Sequence, residues 1–140
     1  MNLTRRQALI TAMSAAAVAG ILPRSAMATA LDDAMAAFTG GAEASEGGII
    51  LTAPEIAENG NTVPVEVEAE GAARITIFAA GNPSPGVVTF AFGPLAAVSR
   101  ASTRIRLAGT QDVVAVAEMA DGSYQMVAQE VKVTIGGCGG

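Results

Sequence analysis

The clearest secondary-structure signal in the chain lies in the stretch Val63-Pro64-Val65-Glu66-Val67-Glu68. Apolar and polar residues alternate there with a period of two, which is the pattern of a strand with one buried and one solvated face. We therefore interpret Glu66, Glu68 and the following Glu70 as a solvated strand face rather than as a metal or acid/base site.

Six further runs are rich in β-forming residues and are separated by residues that favour turns, such as Asn59-Gly60 and Asp121-Gly122. Seven short strands without helical crossovers predict an all-β fold, an immunoglobulin-like antiparallel β-sandwich. In the last strand the apolar alternation is interrupted between Val127 and Val131, which we interpret as a bulge. The predicted strands are residues 49–52, 63–69, 74–79, 87–92, 97–107, 113–119 and 124–135.

A short helix is predicted ahead of the strands, over residues 31–38. Leu31, Met35 and Phe38 recur there at helical spacing, and Asp32 and Asp33 lie near the start, where the helix dipole favours acidic side chains. The chain is thus expected to form one sandwich domain over residues 31–135, with an appendage at each end.

The composition argues against most catalytic and metal-binding mechanisms. The 140 residues include no His, which is the commonest general base and metal ligand at neutral pH. A single Cys cannot form an intramolecular disulfide, a CxxC redox pair or a Cys-rich metal site. We expect neither a metal nor a resident cofactor.

Residues 1–30 have the features of a cleaved export signal. Arg5 and Arg6 precede an apolar run, and small residues then offer cleavage after Ala28 or Ala30. The stretch from Thr4 to Ile10 is similar to a twin-arginine leader, with Ala8 and Ile10 where that pattern usually has Phe and Lys. An ordinary export signal with two adjacent arginines is the alternative. Either route predicts a periplasmic protein.

The chain expected after cleavage is strongly acidic. Because three of the eight basic residues and no acidic residue lie in the leader, five basic residues remain against 13 acidic ones, a formal charge of −8. Such a surface repels phosphate backbones and anionic lipid headgroups. We therefore expect no nucleic-acid partner and no membrane association.

The last predicted strand runs directly into Gly136-Gly137-Cys138-Gly139-Gly140. Glycines give the predicted arm a flexible backbone and little bulk, so its thiol could enter a narrow channel roughly 10 Å beyond Ile135. A catalytic Cys needs a nearby cation, His or helix N-terminus, and in sequence only Lys132 is close. The pattern favours a thiol that carries a group over one that catalyses.

This ending resembles that of the SoxY family, the sulfur-carrying subunit of the Sox thiosulfate-oxidation system. The resemblance rests on the closing residues 131–140 and extends over most of the predicted mature chain. The further matching stretches are Ala53 to Gly60, Val63-Pro64-Val65, Asn82-Pro83, Arg104 to Ala108 and Thr110 to Val113.

The resemblance implies a carrier that is not itself an enzyme. In such a carrier, a haem enzyme joins thiosulfate oxidatively to Cys138, a hydrolase releases the terminal sulfonate as sulfate, and a sulfane dehydrogenase oxidises the remaining persulfide sulfur. It also implies a heterodimer with a SoxZ-like subunit that has no signal of its own, which would explain export in a folded state. Of the functional residues, only Cys138 and the glycines Gly136, Gly137, Gly139 and Gly140 carry over.

Two alternatives from other classes remain. One is an exported structural or adhesin-like sandwich that uses Cys138 for an intermolecular disulfide. The other is a small thiol oxidoreductase, against which the absence of a second Cys and of a base argues.

Overall fold

The computed structural model describes residues 24–136 of the chain, which form one helix and nine strands. The helix is α1 (Arg24–Thr39). The strands are β1 (Ala44–Glu46), β2 (Ile50–Thr52), β3 (Ile56–Ala57), β4 (Val63–Glu68), β5 (Ala72–Ala79), β6 (Gly86–Ala91), β7 (Arg100–Ile105), β8 (Gln111–Met119) and β9 (Tyr124–Val133).

The strands form two sheets that enclose an aliphatic core. The larger sheet has the order β1-β9-β8-β5-β6, with β3 also paired to β9, and the smaller has the order β2-β4-β7. Side chains from both sheets meet in one cluster, in which Val63, Ile75 and Val131 are completely buried. The predicted immunoglobulin-like β-sandwich is therefore confirmed.

Strand β4 shows why the alternating pattern produces a sandwich. Val63, Val65 and Val67 are buried against the larger sheet, whereas the residues that alternate with them, Pro64, Glu66 and Glu68, point outward. Arg100 on β7 contacts Glu66 at 2.7 Å and Glu68 at 3.7 Å. The hydrogen bond to Glu66, together with that carboxylate's charge, raises the pKa of the Arg100 guanidinium. The glutamates thus belong to an ion-paired outer face of the strand.

Two of the nine strands were not predicted. Both β1 and β3 pair in parallel with β9, β1 at its start and β3 at its end. With three and two residues, they are too short to display an alternating pattern. Conversely, the predicted strand 97–107 is shorter in the structure, because β7 begins only at Arg100.

The predicted bulge in the last strand is wrong. The β8–β9 ladder runs from Gln111↔Val131 to Glu118↔Tyr124 without a register shift. Gln129 interrupts the alternation, because it is a polar residue at a position of β9 that faces inward. Its Nε2 donates a hydrogen bond to the carbonyl of Ala53 at 2.9 Å, which satisfies the amide without bending the strand. The register shifts lie in β5 instead.

Helix α1 is longer than predicted, since it begins at Arg24 instead of residue 31. Asp32 and Asp33 therefore lie within the helix and not in its first turn. The predicted apolar face is confirmed, because Leu31, Met35 and Phe38 pack on the outer side of the larger sheet. Within residues 24–136 no helix has both the length and the apolar character needed to cross a bilayer.

Candidate functional site

The sequence places the candidate site on the tail, and the structure describes its first residue. Gly136 is described, whereas Gly137, Cys138, Gly139 and Gly140 lie outside the described residues, as do Arg5 and Arg6 of the predicted leader. The structure describes the arm root, defined as residues 134–136, where the chain leaves the sandwich.

One side of the arm root is bonded to the last residue of β3 and to the segment that follows it. The amide of Thr134 donates to the carbonyl of Ala57 at 3.0 Å, and the Thr134 hydroxyl donates to the carbonyl of Glu58 at 3.1 Å. The amide of Gly60 then donates to the carbonyl of Ile135 at 2.7 Å. These bonds, two between backbone groups and one from the Thr134 side chain, hold the chain beyond the end of β9.

The other side of the arm root lies against the loop 106–110, which joins β7 to β8. Thr110 Oγ1 accepts a hydrogen bond from the amide of Val133 at 2.9 Å. The amide of Leu107 donates to the carbonyl of Gly60 at 2.7 Å, so the loop is also joined to the segment on the opposite side of the root. The root is therefore exposed to solvent but is flanked on its two sides by segments that are bonded to each other.

Gly136 is a glycine because the loop comes very close to it. A Cβ built on Gly136 would lie 2.4 Å from the carbonyl oxygen of Ala108, a distance that real side chains do not tolerate. The sequence predicted all the glycines of the tail to serve flexibility and small bulk. For Gly136 the structure supplies a different reason, since the residue allows close contact between two backbones. The tail sequence alone does not reveal this contact, because Ala108 lies 28 residues earlier in the chain.

Charged side chains near β9 lie on its exposed side. Lys132, Glu55 and Glu130 line a groove of about 480 Å³, together with Ile56 and Gln129. Among residues 24–136 there is no cluster of three or more acidic, Cys or His side chains that could hold a metal ion. The described part of the site therefore offers a fixed exit for the tail, with ordinary surface charges beside it.

The chain is similar to known proteins in both sequence and fold. A family model described as "Sulfur oxidation protein SoxY" matches residues 35–138, a range that reaches Cys138. The structure of the sulfur carrier protein SoxY from Chlorobium limicola f thiosulfatophilum is similar, with 42% sequence identity and a TM-score of 0.68, over 77% of this chain and 99% of that one.

More distant structures share the sandwich. A superoxide reductase (neelaredoxin) from Ignicoccus hospitalis matches with a TM-score of 0.55 and 18% identity, over 62% of this chain and 80% of that one. At that identity the likeness concerns the fold alone. Among curated proteins no sequence matches this chain.

Proposed function

The chain belongs to the SoxY family of sulfur oxidation proteins, and we propose that it is a periplasmic carrier that holds sulfur intermediates covalently on Cys138. The observation that carries the proposal is the placement of the chain's single Cys. It follows Gly136 by two residues, beyond an arm root that is bonded to residues 57–60 on one side and lies against the loop 106–110 on the other. The match to a sulfur carrier of the same fold supports the role.

The proposed loading step joins thiosulfate to the cysteine by oxidation. The Cys138 thiol loses its proton, its sulfur forms a bond to the terminal sulfur of thiosulfate, and two electrons leave to the haem of a partner enzyme. In the next step water attacks the sulfonate sulfur, and the bond between that sulfur and the sulfane sulfur breaks. Sulfate departs with the oxygen of water, and a persulfide remains on Cys138.

The later steps regenerate the thiol. A sulfane dehydrogenase oxidises the outer persulfide sulfur to a sulfonate, with water as the source of oxygen and the electrons passing to its own acceptor. A second hydrolysis releases sulfate and returns the Cys138 thiol. The chain supplies the attachment point in every step, and the partner enzymes supply the acid, base and redox groups.

A SoxZ-like subunit is the proposed permanent partner. In the described fold β6 lies at one edge of the larger sheet and β7 at one edge of the smaller sheet, and an edge strand presents unpaired backbone groups to a partner. Export of the two folded subunits together would account for the twin-arginine-like leader with Arg5 and Arg6. The heterodimer and its route belong to the proposal, as does the periplasmic location.

Replacing the cysteine tests the function. We expect Cys138→Ser to abolish thiosulfate-dependent turnover in a system reconstituted with the partner enzymes, because serine cannot form a disulfide-type bond. The melting temperature should remain that of the parent, since the residue lies beyond the bonded root. Retained turnover would overturn the carrier function, and Ser123→Ala in a surface turn is a control that should leave turnover intact.

A further inference from the structure

Two buried amide side chains lie beneath the loop that contacts the arm root. Asn82 and Gln111 are 4% and 8% exposed, and neither belongs to the apolar cluster. Asn82 Nδ2 donates a hydrogen bond to the carbonyl of Arg106 at 2.8 Å, and its Oδ1 accepts one from the amide of Ala108 at 2.9 Å. Asn82 thereby bonds both backbone groups that flank Leu107.

Gln111 completes the network. Its Nε2 donates to Asn82 Oδ1 at 2.9 Å and to the carbonyl of Gly109 at 3.0 Å, and its Oε1 accepts from the amide of Gly81 at 2.8 Å. Buried amides are costly unless they are bonded, and here each polar atom has a partner. The network therefore holds the loop 106–110 in one conformation.

Ala108 connects the network to the arm root. Its amide nitrogen is bonded to Asn82, and its carbonyl oxygen is the atom against which Gly136 packs. A change in the side chain of Asn82 would therefore alter the position of Gly136 through a single intervening residue, Ala108. From this geometry we propose that Asn82 and Gln111 are positioning residues for the carrier cysteine, because they determine where the tail leaves the domain.

The short distance from the root to the thiol makes this position important. Two residues beyond Gly136, an extended chain spans at most about 7 Å. A partner enzyme that reaches the sulfur must therefore also approach the loop 106–110 and the segment 58–60. A displacement of the root by about 1 Å is a substantial fraction of that reach, and misplacement of this size can cost on the order of 100-fold in rate.

The inference rests on the proposed function, but its test does not need sulfur chemistry. The single Cys allows a nitroxide spin label to be attached to Cys138 in the full chain, and the spectrum then reports the label's rotational freedom. We expect Asn82→Ala to increase that freedom. Gly136→Ala should do the same, because its methyl group would push the root away from Ala108.

A matched control separates positioning from loss of stability. Val116→Ala removes buried side-chain volume beneath α1, away from the arm root, and should lower the melting temperature while leaving the label's spectrum unchanged. The double variant Asn82→Ala/Gly136→Ala should resemble the single variants, because both act through the same contact. If Asn82→Ala does not fold, Gln111→Met is measured in its place, with the same expectation.

Transfer kinetics complete the test. In the unlabelled Asn82→Ala variant, kcat/KM for enzymatic loading should fall about tenfold or more, whereas reaction of the thiol with a small soluble disulfide should proceed at the parent rate. A parent-like label spectrum in Asn82→Ala, or an equal change in Val116→Ala, would overturn the positioning role. Neither result would affect the carrier function, which the Cys138→Ser variant tests separately.

Discussion

At the scale of single residues, the tail glycines have two different roles. Gly136 is required by the carbonyl of Ala108, whereas Gly137 and Gly139 are expected to serve the entry of the thiol into partner enzymes. The sequence allowed Cys138 and its glycines to be predicted as the site, because they are contiguous. It did not allow the role of Asn82 or Gln111 to be predicted, since their bonds join residues about 25 to 30 positions apart.

Larger side chains next to Cys138 test whether Gly137 and Gly139 serve the entry of the thiol into partner enzymes. We expect Gly137→Val and Gly139→Val to slow several enzymatic steps at once, because a branched side chain meets the walls of a narrow pocket and stiffens the backbone. The corresponding Ala variants should be milder. Reaction of Cys138 with a small soluble disulfide is the control, and it should match the parent in all four variants. Parent-like rates in every enzymatic step of the Val variants would show that these glycines are a dispensable spacer.

At the scale of elements, the sequence predicted each long strand of the sandwich and the apolar face of the helix. Strand β4 was recognisable because an apolar residue faces the core at every second position, and β9 because the same alternation is interrupted only at Gln129 between Val127 and Val133. The short strands β1 and β3 were not, because they owe their conformation to parallel pairing with β9 and not to a pattern of their own. The polar Gln129 was mistaken for a bulge because its partner, the carbonyl of Ala53, is 76 residues away.

The docking of α1 depends on Phe38. Its ring makes edge contacts with Phe78 and Tyr124 at centroid distances of 6.4 Å and 6.0 Å, and the Arg74 guanidinium lies 4.9 Å from its centroid. Arg74 is itself paired with Glu118. We expect Phe38→Ala to lower the free energy of unfolding by about 2 kcal/mol, below the range for a fully buried Phe because Phe38 is half-buried.

Chemical denaturation of the full chain measures this loss. Ala37→Ser, on the exposed face of the same helix, is the control and should cost only a few tenths of a kcal/mol. If Phe38→Ala were as stable as the control, the helix would not be held on the sheet by this aromatic contact.

At the scale of the whole molecule, both sheets of the described sandwich have open edges. Strand β7 bounds the smaller sheet and β6 bounds the larger one, within the part of the chain that the structure describes. We expect the mature chain to form a heterodimer with a SoxZ-like subunit, since edge strands left unpaired favour association. Co-expression followed by light scattering measures the mass of the complex. A chain that is monomeric, stable and fully active as a carrier when purified alone would contradict this expectation.

The central claim is that sulfur intermediates are bound to Cys138. Intact-mass spectrometry of the protein isolated from cells oxidising thiosulfate tests it most directly, with peptide fragmentation to locate any adduct and Cys138→Ser as the control. We predict thiosulfonate or persulfide adducts on Cys138, removed by a thiol reductant and absent from the variant. An unmodified thiol accompanied only by a simple disulfide-linked dimer would contradict it and favour the structural, adhesin-like alternative.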